Sequence, residues 1–208
     1  GISKSFKGWA VADSNGNVLE NAQVYGLYDD IPASIKYLKA VWQDATVIFV
    51  SGSGNDYNNG LSPDTPVATL GAAYSKLSST GDTSNQIIVI CGPLTYSTAN
   101  ASQDFTKPVT ITSVYNGVDY RNTNSAVLNV GTNMYLQADL NLDNINVQVT
   151  QDTNMLVCNY HNLTIGRGIS TNEDSYTFGT IVGGSLNKNT GYRTGTIGIH
   201  NMVIESGI

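Results

Sequence analysis

The sequence predicts an all-β fold, a parallel β-helix, and three observations predict it. The first is a motif that returns. Asn144-Ile145-Asn146-Val147, Asn162-Leu163-Thr164-Ile165 and Asn201-Met202-Val203-Ile204 all read Asn-apolar-x-apolar, at intervals of 18 and 39 residues. The second interval is close to twice the first, and Ile181-Val182 lies where an intermediate copy is expected. The second is the two-residue period inside each copy. Residues two apart on a strand share a face, so each copy offers two apolar side chains to an interior it cannot close alone, and stacking copies makes one core. The third is composition. Charged residues are 12% of the chain, against a usual share of about 25%. Glycine (21) and asparagine (23) fill the gap, as suits a chain dense in turns.

The asparagines sharpen this reading. Asn144, Asn162 and Asn201 each stand just before an apolar pair. Asparagine tolerates left-handed backbone geometry and bonds to nearby backbone groups. On stacked coils the three amides form a structural ladder.

Residues 1–44 read as a separate small β segment. Phe6-Lys7-Gly8-Trp9 opens it, Asp13-Ser14-Asn15-Gly16-Asn17 is a turn signal, and Leu38-Lys39-Ala40-Val41-Trp42 closes it. Two or three short strands are expected, with Trp9 and Trp42 packed in one core. The opening and closing strands resemble the C-terminal half of the internalin-type B repeat, a β-rich module of bacterial surface proteins. The resemblance covers about 40 residues and lacks the family's first strands.

Residues 45–208 read as the β-helix. An apolar strand at 47–50 runs into a loop rich in Gly, Asn, Asp and Ser. A helix at about 69–78 follows, with Leu70, Ala73, Tyr74 and Leu77 on one stripe and Thr69 as N-cap. Gly54-Asn55-Asp56-Tyr57-Asn58-Asn59-Gly60 and Pro66-Val67-Ala68-Thr69 resemble the opening of secreted right-handed β-helix proteins of the pectate-lyase-like superfamily. The resemblance implies a right-handed coil and a helix that plugs its N-terminal end. Further strands are expected at 87–91, 108–111, 126–130, 134–142, 155–158 and 196–199, with a protruding insert at 170–192.

The chemistry stays thin. Asp56-x-Asn58-x-Gly60 echoes part of a calcium loop but lacks the later ligands, so no metal or other cofactor is expected and calcium is the alternative. The superfamily includes polysaccharide lyases, which need a base and clustered carboxylates. Beside the inward pairs, the outward positions offer one carboxylate, Glu205, and no base. Asp139 and Asp143 read as a solvated strand edge. A polar row of Asp143, His161 and His200, each just before a ladder asparagine, is the candidate ligand-binding line. Asp143 and His161 are expected about 4.8 Å apart on neighbouring coils. Cys91 and Cys158 each follow an apolar run and are expected to be buried free thiols. Three coil spacings, about 14 Å, part them, twice the reach of about 7 Å that a disulfide has.

A net charge of −6 argues against nucleic acid as partner, and no apolar run reaches the length of a membrane span. The expected role is a non-catalytic bacterial surface or secreted module for adhesion, glycan binding or spacing, extracellular or cell-wall associated. Its expected partners are a glycan or a surface protein. The alternative is a polysaccharide lyase or glycoside hydrolase acting on extracellular glycans. The last strand, at 202–204, is expected either to belong to a fragment of a longer surface protein or to be covered by another chain, as in an end-to-end dimer, or by the 170–192 insert.

Overall fold

A computed structural model describes residues 3–26, 29–77, 85–97, 105–132, 134–149, 156–157, 161–165, 170–171, 181–182 and 203–204. The described residues are all-β with two short helices. The chain divides into two compact units, Gly1–Ala45 and Thr46–Ile208.

In the first unit, strand β1 (Ser3–Val11) pairs antiparallel with β2 (Val24–Tyr25) and with the first part of β3 (Leu38–Val50). The predicted 13–17 turn is closed by backbone bonds, Asp13 N–H to Asn17 O at 2.9 Å and Gly16 N–H to Asp13 O at 3.1 Å, and by one side chain. The Asp13 carboxylate accepts the N–H groups of Asn15 at 2.9 Å and Asn17 at 2.8 Å. The Asn17 bonds lead in holding the Asp13 pKa below the usual carboxylate value.

The pairing of β1 with β3 shifts register between Phe6 and Gly8. Alternation then sends Ser5, Gly8 and Ala10 to a buried face and Phe6 and Trp9 to the opposite one. The expected Trp9–Trp42 core is therefore corrected: Trp9 is 40% exposed and Trp42 57%. Phe6 stands edge-on to both indoles, with ring centroids 5.3 Å from Trp9 and 5.8 Å from Trp42. The unit buries small residues, Ala10, Ala12 and Ala45, together with Tyr25.

Among the described residues the second unit contains three ladders of parallel strands. One joins residues 46–50 of β3 to β4 (Gln86–Ile90), β6 (Val109–Thr112), β11 (Leu140–Asp143), β14 (Leu163–Ile165) and β17 (Val203–Ile204), in that order. A second joins β5 (Pro93–Tyr96), β9 (Val127–Val130), β12 (Asn146–Val149) and β15 (Ser170–Thr171). A third joins β10 (Met134–Tyr135), β13 (Leu156–Val157) and β16 (Ile181–Val182). From β9 onward the chain visits the ladders in the same order each time.

Register makes the core. Ile48, Ile88, Ile111 and Leu142 are successive partners across four strands, and none is more than 2% exposed. Leu94, Leu128 and Val147 form a second such column. Each such side chain contributes about 1.5–3 kcal/mol on burial, so the columns outweigh the few polar contacts among them.

The predicted helix is present as α1 (Leu70–Lys76). Thr69 caps it, its side chain accepting from Ala72 N–H at 3.1 Å. Leu70, Ala73, Tyr74 and Leu77 are buried as the stripe requires. At its other end Lys107 Nζ donates to the carbonyls of Tyr74 (3.1 Å) and Leu77 (2.9 Å). That places a cation where the last carbonyls of a helix lack partners.

Cys91 is a buried free thiol; Cys158 lies outside the described residues. Burial pushes the Cys91 thiol from 9.0 up to about 11. The folded protein thus holds this proton at pH values where the unfolded chain releases it. The resulting stability is present below about pH 9 and lost as pH rises towards 11. In denaturant melts the parent is expected to weaken between those pH values and Cys91→Ala to weaken less. Equal slopes would show that the thiol is not the cause.

Candidate functional site

The 18-residue interval is not the spacing of the stack. Leu140 partners Leu163, so β11 and β14 are offset by 23 residues. Asn144 stands at the corner between β11 and β12, three residues before Val147, while Asn162 precedes β14, which pairs with β11 and not with β12. The two are therefore not neighbours in a ladder. Asn144 has φ 46°. By the register of Val147 with Leu128 it stands beside Ser125, which has φ 52°. These are two left-handed corners, one above the other. Ile181-Val182 is β16 and pairs with Leu156-Val157, so it is not the missing copy. Thr164 does partner Val203, which keeps the 39-residue interval; Asn201 itself lies outside the described residues.

What stands beside Asn162 is Asp139. Its carboxylate accepts the Asn162 N–H and Nδ2, both at 2.8 Å, and Leu140 N–H donates to Asn162 O at 2.9 Å. Asp139 is exposed at the strand edge, as expected, and it also links neighbouring strands, one residue ahead of each.

The polar row does not assemble. In the same register His161 falls opposite Ala138, whereas Asp143 partners Thr112 at the other end of β11. Five residue steps separate those positions, about 16 Å along the strand. His200 lies outside the described residues.

Asp143 instead has a neighbour the sequence did not suggest. Between β6 and β9 the chain makes a hairpin, β7 (Val114–Tyr115) and β8 (Val118–Asp119), and a turn of helix, α2 (Tyr120–Thr123). Tyr115 and Tyr120 stand edge-on to Phe49, at 5.8 and 6.2 Å. Asp119 caps α2 and takes Arg121 in a two-pronged pair, Nε to Oδ1 at 2.9 Å and Nη2 to Oδ2 at 2.7 Å. The Arg121 bond is the leading cause that holds the Asp119 pKa down, and Asp119, with a weaker pull from Asp143, holds Arg121 up. A guanidinium so held stays protonated; it can orient an anion but cannot serve as a base.

The 54–60 loop is a clasp. Asp56 Oδ1 accepts from Ala68 N–H (2.8 Å) and Thr69 N–H (2.9 Å), and Oδ2 from Thr69 Oγ1 (3.0 Å). Asn58 Nδ2 donates to Pro66 O at 2.9 Å. Both oxygens of Asp56 are thus engaged by protein donors. The clasp sets Gly60 and Val67 along the edge of β3, where Phe49 N–H donates to Gly60 O at 2.7 Å and Val67 N–H to Phe49 O at 3.0 Å. A paired edge does not template further strands.

Among the described residues no three His, Cys, Asp or Glu gather as a metal site would require, and no helix is long and apolar enough to cross a membrane. The other feature of note is the Phe6, Trp9 and Trp42 face of the first unit. Comparison with protein-family models, with curated proteins and with solved structures finds no match to this chain.

Proposed function

We propose that the chain is a non-catalytic module of a bacterial cell surface, a right-handed parallel β-helix of the pectate-lyase-like kind preceded by part of an internalin-type B repeat. The repeated visiting order of the three ladders supports the coil, and parallel crossovers in one sheet are right-handed in almost all proteins. The helix α1 serves as its plug. Such a coil is stiff, and it spaces whatever it carries outside the cell.

The observation that carries the binding role is the open aromatic face. Two indoles flank one phenyl ring and are no further apart than 5.3 and 5.8 Å laid end to end. Exposed indoles present flat apolar area with a polar N–H, which suits the C–H face of a pyranose ring. Beside them Lys4 and Asp44 pair with each other, so that pair offers no net charge to a ligand, and Lys7 is an exposed cation between Phe6 and Trp9. Binding to a glycan array is the test. Trp42→Ala, at the more exposed indole, is expected to weaken binding by about tenfold or more with an unchanged melt. A parent that binds no glycan, or a variant that binds as well as the parent, would overturn the assignment of this face.

A second reading, a polysaccharide lyase or hydrolase, draws on Arg121 beside Asp143. Turnover of uronic acid or neutral glycans by the parent, with or without calcium, would replace the first reading. Loss of that turnover in Arg121→Met would locate it.

A further inference from the structure

We infer that Asn116 is a site of spontaneous hydrolytic modification, losing its carboxamide through a succinimide formed with Gly117 at the tip of the β7–β8 hairpin. Asparagine is among the chemically labile residues of proteins. The reaction needs the next residue's backbone nitrogen to reach the asparagine Cγ, so it favours glycine next in sequence, a carboxamide without partners and an open turn.

The chain has three Asn-Gly steps, Asn15-Gly16, Asn59-Gly60 and Asn116-Gly117, and the structure treats them differently. At the first, the attacking nitrogen is engaged: Gly16 N–H donates to Asp13 O at 3.1 Å, and Asn15 N–H to the Asp13 carboxylate at 2.9 Å. At the second, Asn59 Oδ1 accepts from Leu61 N–H (2.9 Å) and Thr65 Oγ1 (3.3 Å). Gly60 is buried there, with its Cβ position 2.9 Å from Ile48 Cγ2. At the third, both residues are exposed. Among the described residues neither the Asn116 carboxamide nor the Gly117 N–H makes a hydrogen bond. Nothing lies within 4 Å of the Gly117 Cβ position, so the five-membered ring has room to form.

Hydroxide takes the Gly117 amide proton and the nitrogen attacks Asn116 Cγ. The new C–N bond forms as the Cγ–Nδ2 bond breaks, and the nitrogen leaves, protonated, as ammonia. Water then opens the ring. Attack at the side-chain carbonyl gives aspartate; attack at the backbone carbonyl gives isoaspartate, with one more carbon in the main chain. One water enters, one ammonia leaves, and nothing is oxidised.

The consequence is local. The two-residue turn sets Tyr115 against Val118 and Val114 against Asp119. An added backbone carbon breaks that register and loosens the hairpin whose Tyr115 covers Phe49.

The test is to age the full chain in mildly alkaline buffer, natively and in urea, and to map peptides by mass spectrometry with fragmentation that separates aspartate from isoaspartate. Natively, Asn116 is expected to convert at least about tenfold faster than Asn59, a barrier difference of about 1.4 kcal/mol; in urea the three sites converge. Gly117→Ala is expected to slow conversion at position 116 by a similar factor and to leave Asn15 and Asn59 unchanged. Native conversion at Asn59 that equals or exceeds that at Asn116, or none at Asn116, would overturn the inference.

Discussion

Asp56→Ala is expected to lower the stability of the second unit by about 2–4 kcal/mol, because one carboxylate makes three bonds there. Its two backbone donors, Ala68 and Thr69, lie just before α1, and Thr69 is also the N-cap. Losing the carboxylate frees the cap, the loop and the Gly60–Val67 segment that covers the edge of β3 together. For a unit of this size that loss lowers the melting midpoint by about 4–16 °C. Asp56→Asn keeps one acceptor oxygen and is expected to fall roughly midway. A chelator is expected to leave the parent's melt unchanged, since both oxygens already have protein donors. A variant within about 0.5 kcal/mol of the parent, within the range of ordinary surface substitutions, would show that the clasp contributes little. A chelator-sensitive melt that Asp56→Ala abolishes would assign the loop to calcium instead.

Local signals were legible in the sequence wherever the deciding contact is local. The α1 stripe, its Thr69 cap, the 13–17 turn and the apolar strands at 47–50 and 87–90 depend on residues a few positions apart. The stack was not legible from spacing, because its intervals are unequal: 40 residues from Val47 to Ile87, 23 from Ile87 to Thr110, 31 from Val109 to Leu140 and 23 from Leu140 to Leu163. The clasp with α1, and the β7–α2 insert, lengthen the circuits that contain them. The 18-residue echo between Asn144 and Asn162 compares a corner with a strand entry, two places that favour asparagine before an apolar residue for different reasons. Asn144 suits a left-handed corner, whereas Asn162 donates to Asp139. The row of Asp143 and His161 failed with that register. Arg121 was missed because the hairpin that delivers it has no periodic signal; Asn116-Gly117, flanked by Val114-Tyr115 and Val118, was the available clue.

Gly8→Ala is expected to cost the first unit about 3–5 kcal/mol, adding strain at a φ reserved for glycine to the cost of overpacking. Gly8 has φ +150°, and a Cβ there would stand 2.3 Å from Tyr25 O and 2.8 Å from Val24 Cγ1. The nearest obstacle is backbone of the paired strand β2, which has no rotamer to move aside. Relief requires β2 to peel from β1, to which the Trp9–Tyr25 and Ala10–Val24 pairs and the Val11 N–H to Gln23 O bond (3.2 Å) join it. A unit of about 45 residues has roughly 2–7 kcal/mol of stability in total, so the substitution removes most of it. The glycine of the Phe-x-Gly-Trp strand is thus explained by the close passage of β2, and the tryptophan beside it by the opposite face. Tryptophan fluorescence and limited proteolysis of the full chain read the outcome, since Trp9 and Trp42 are the chain's two tryptophans. The variant is expected to be cut within 1–45 at protease levels the parent resists, while amide exchange in 86–90 stays slow. A Gly8→Ala protein with the parent's spectrum and resistance would mean that β2 does not lie against β1 as described.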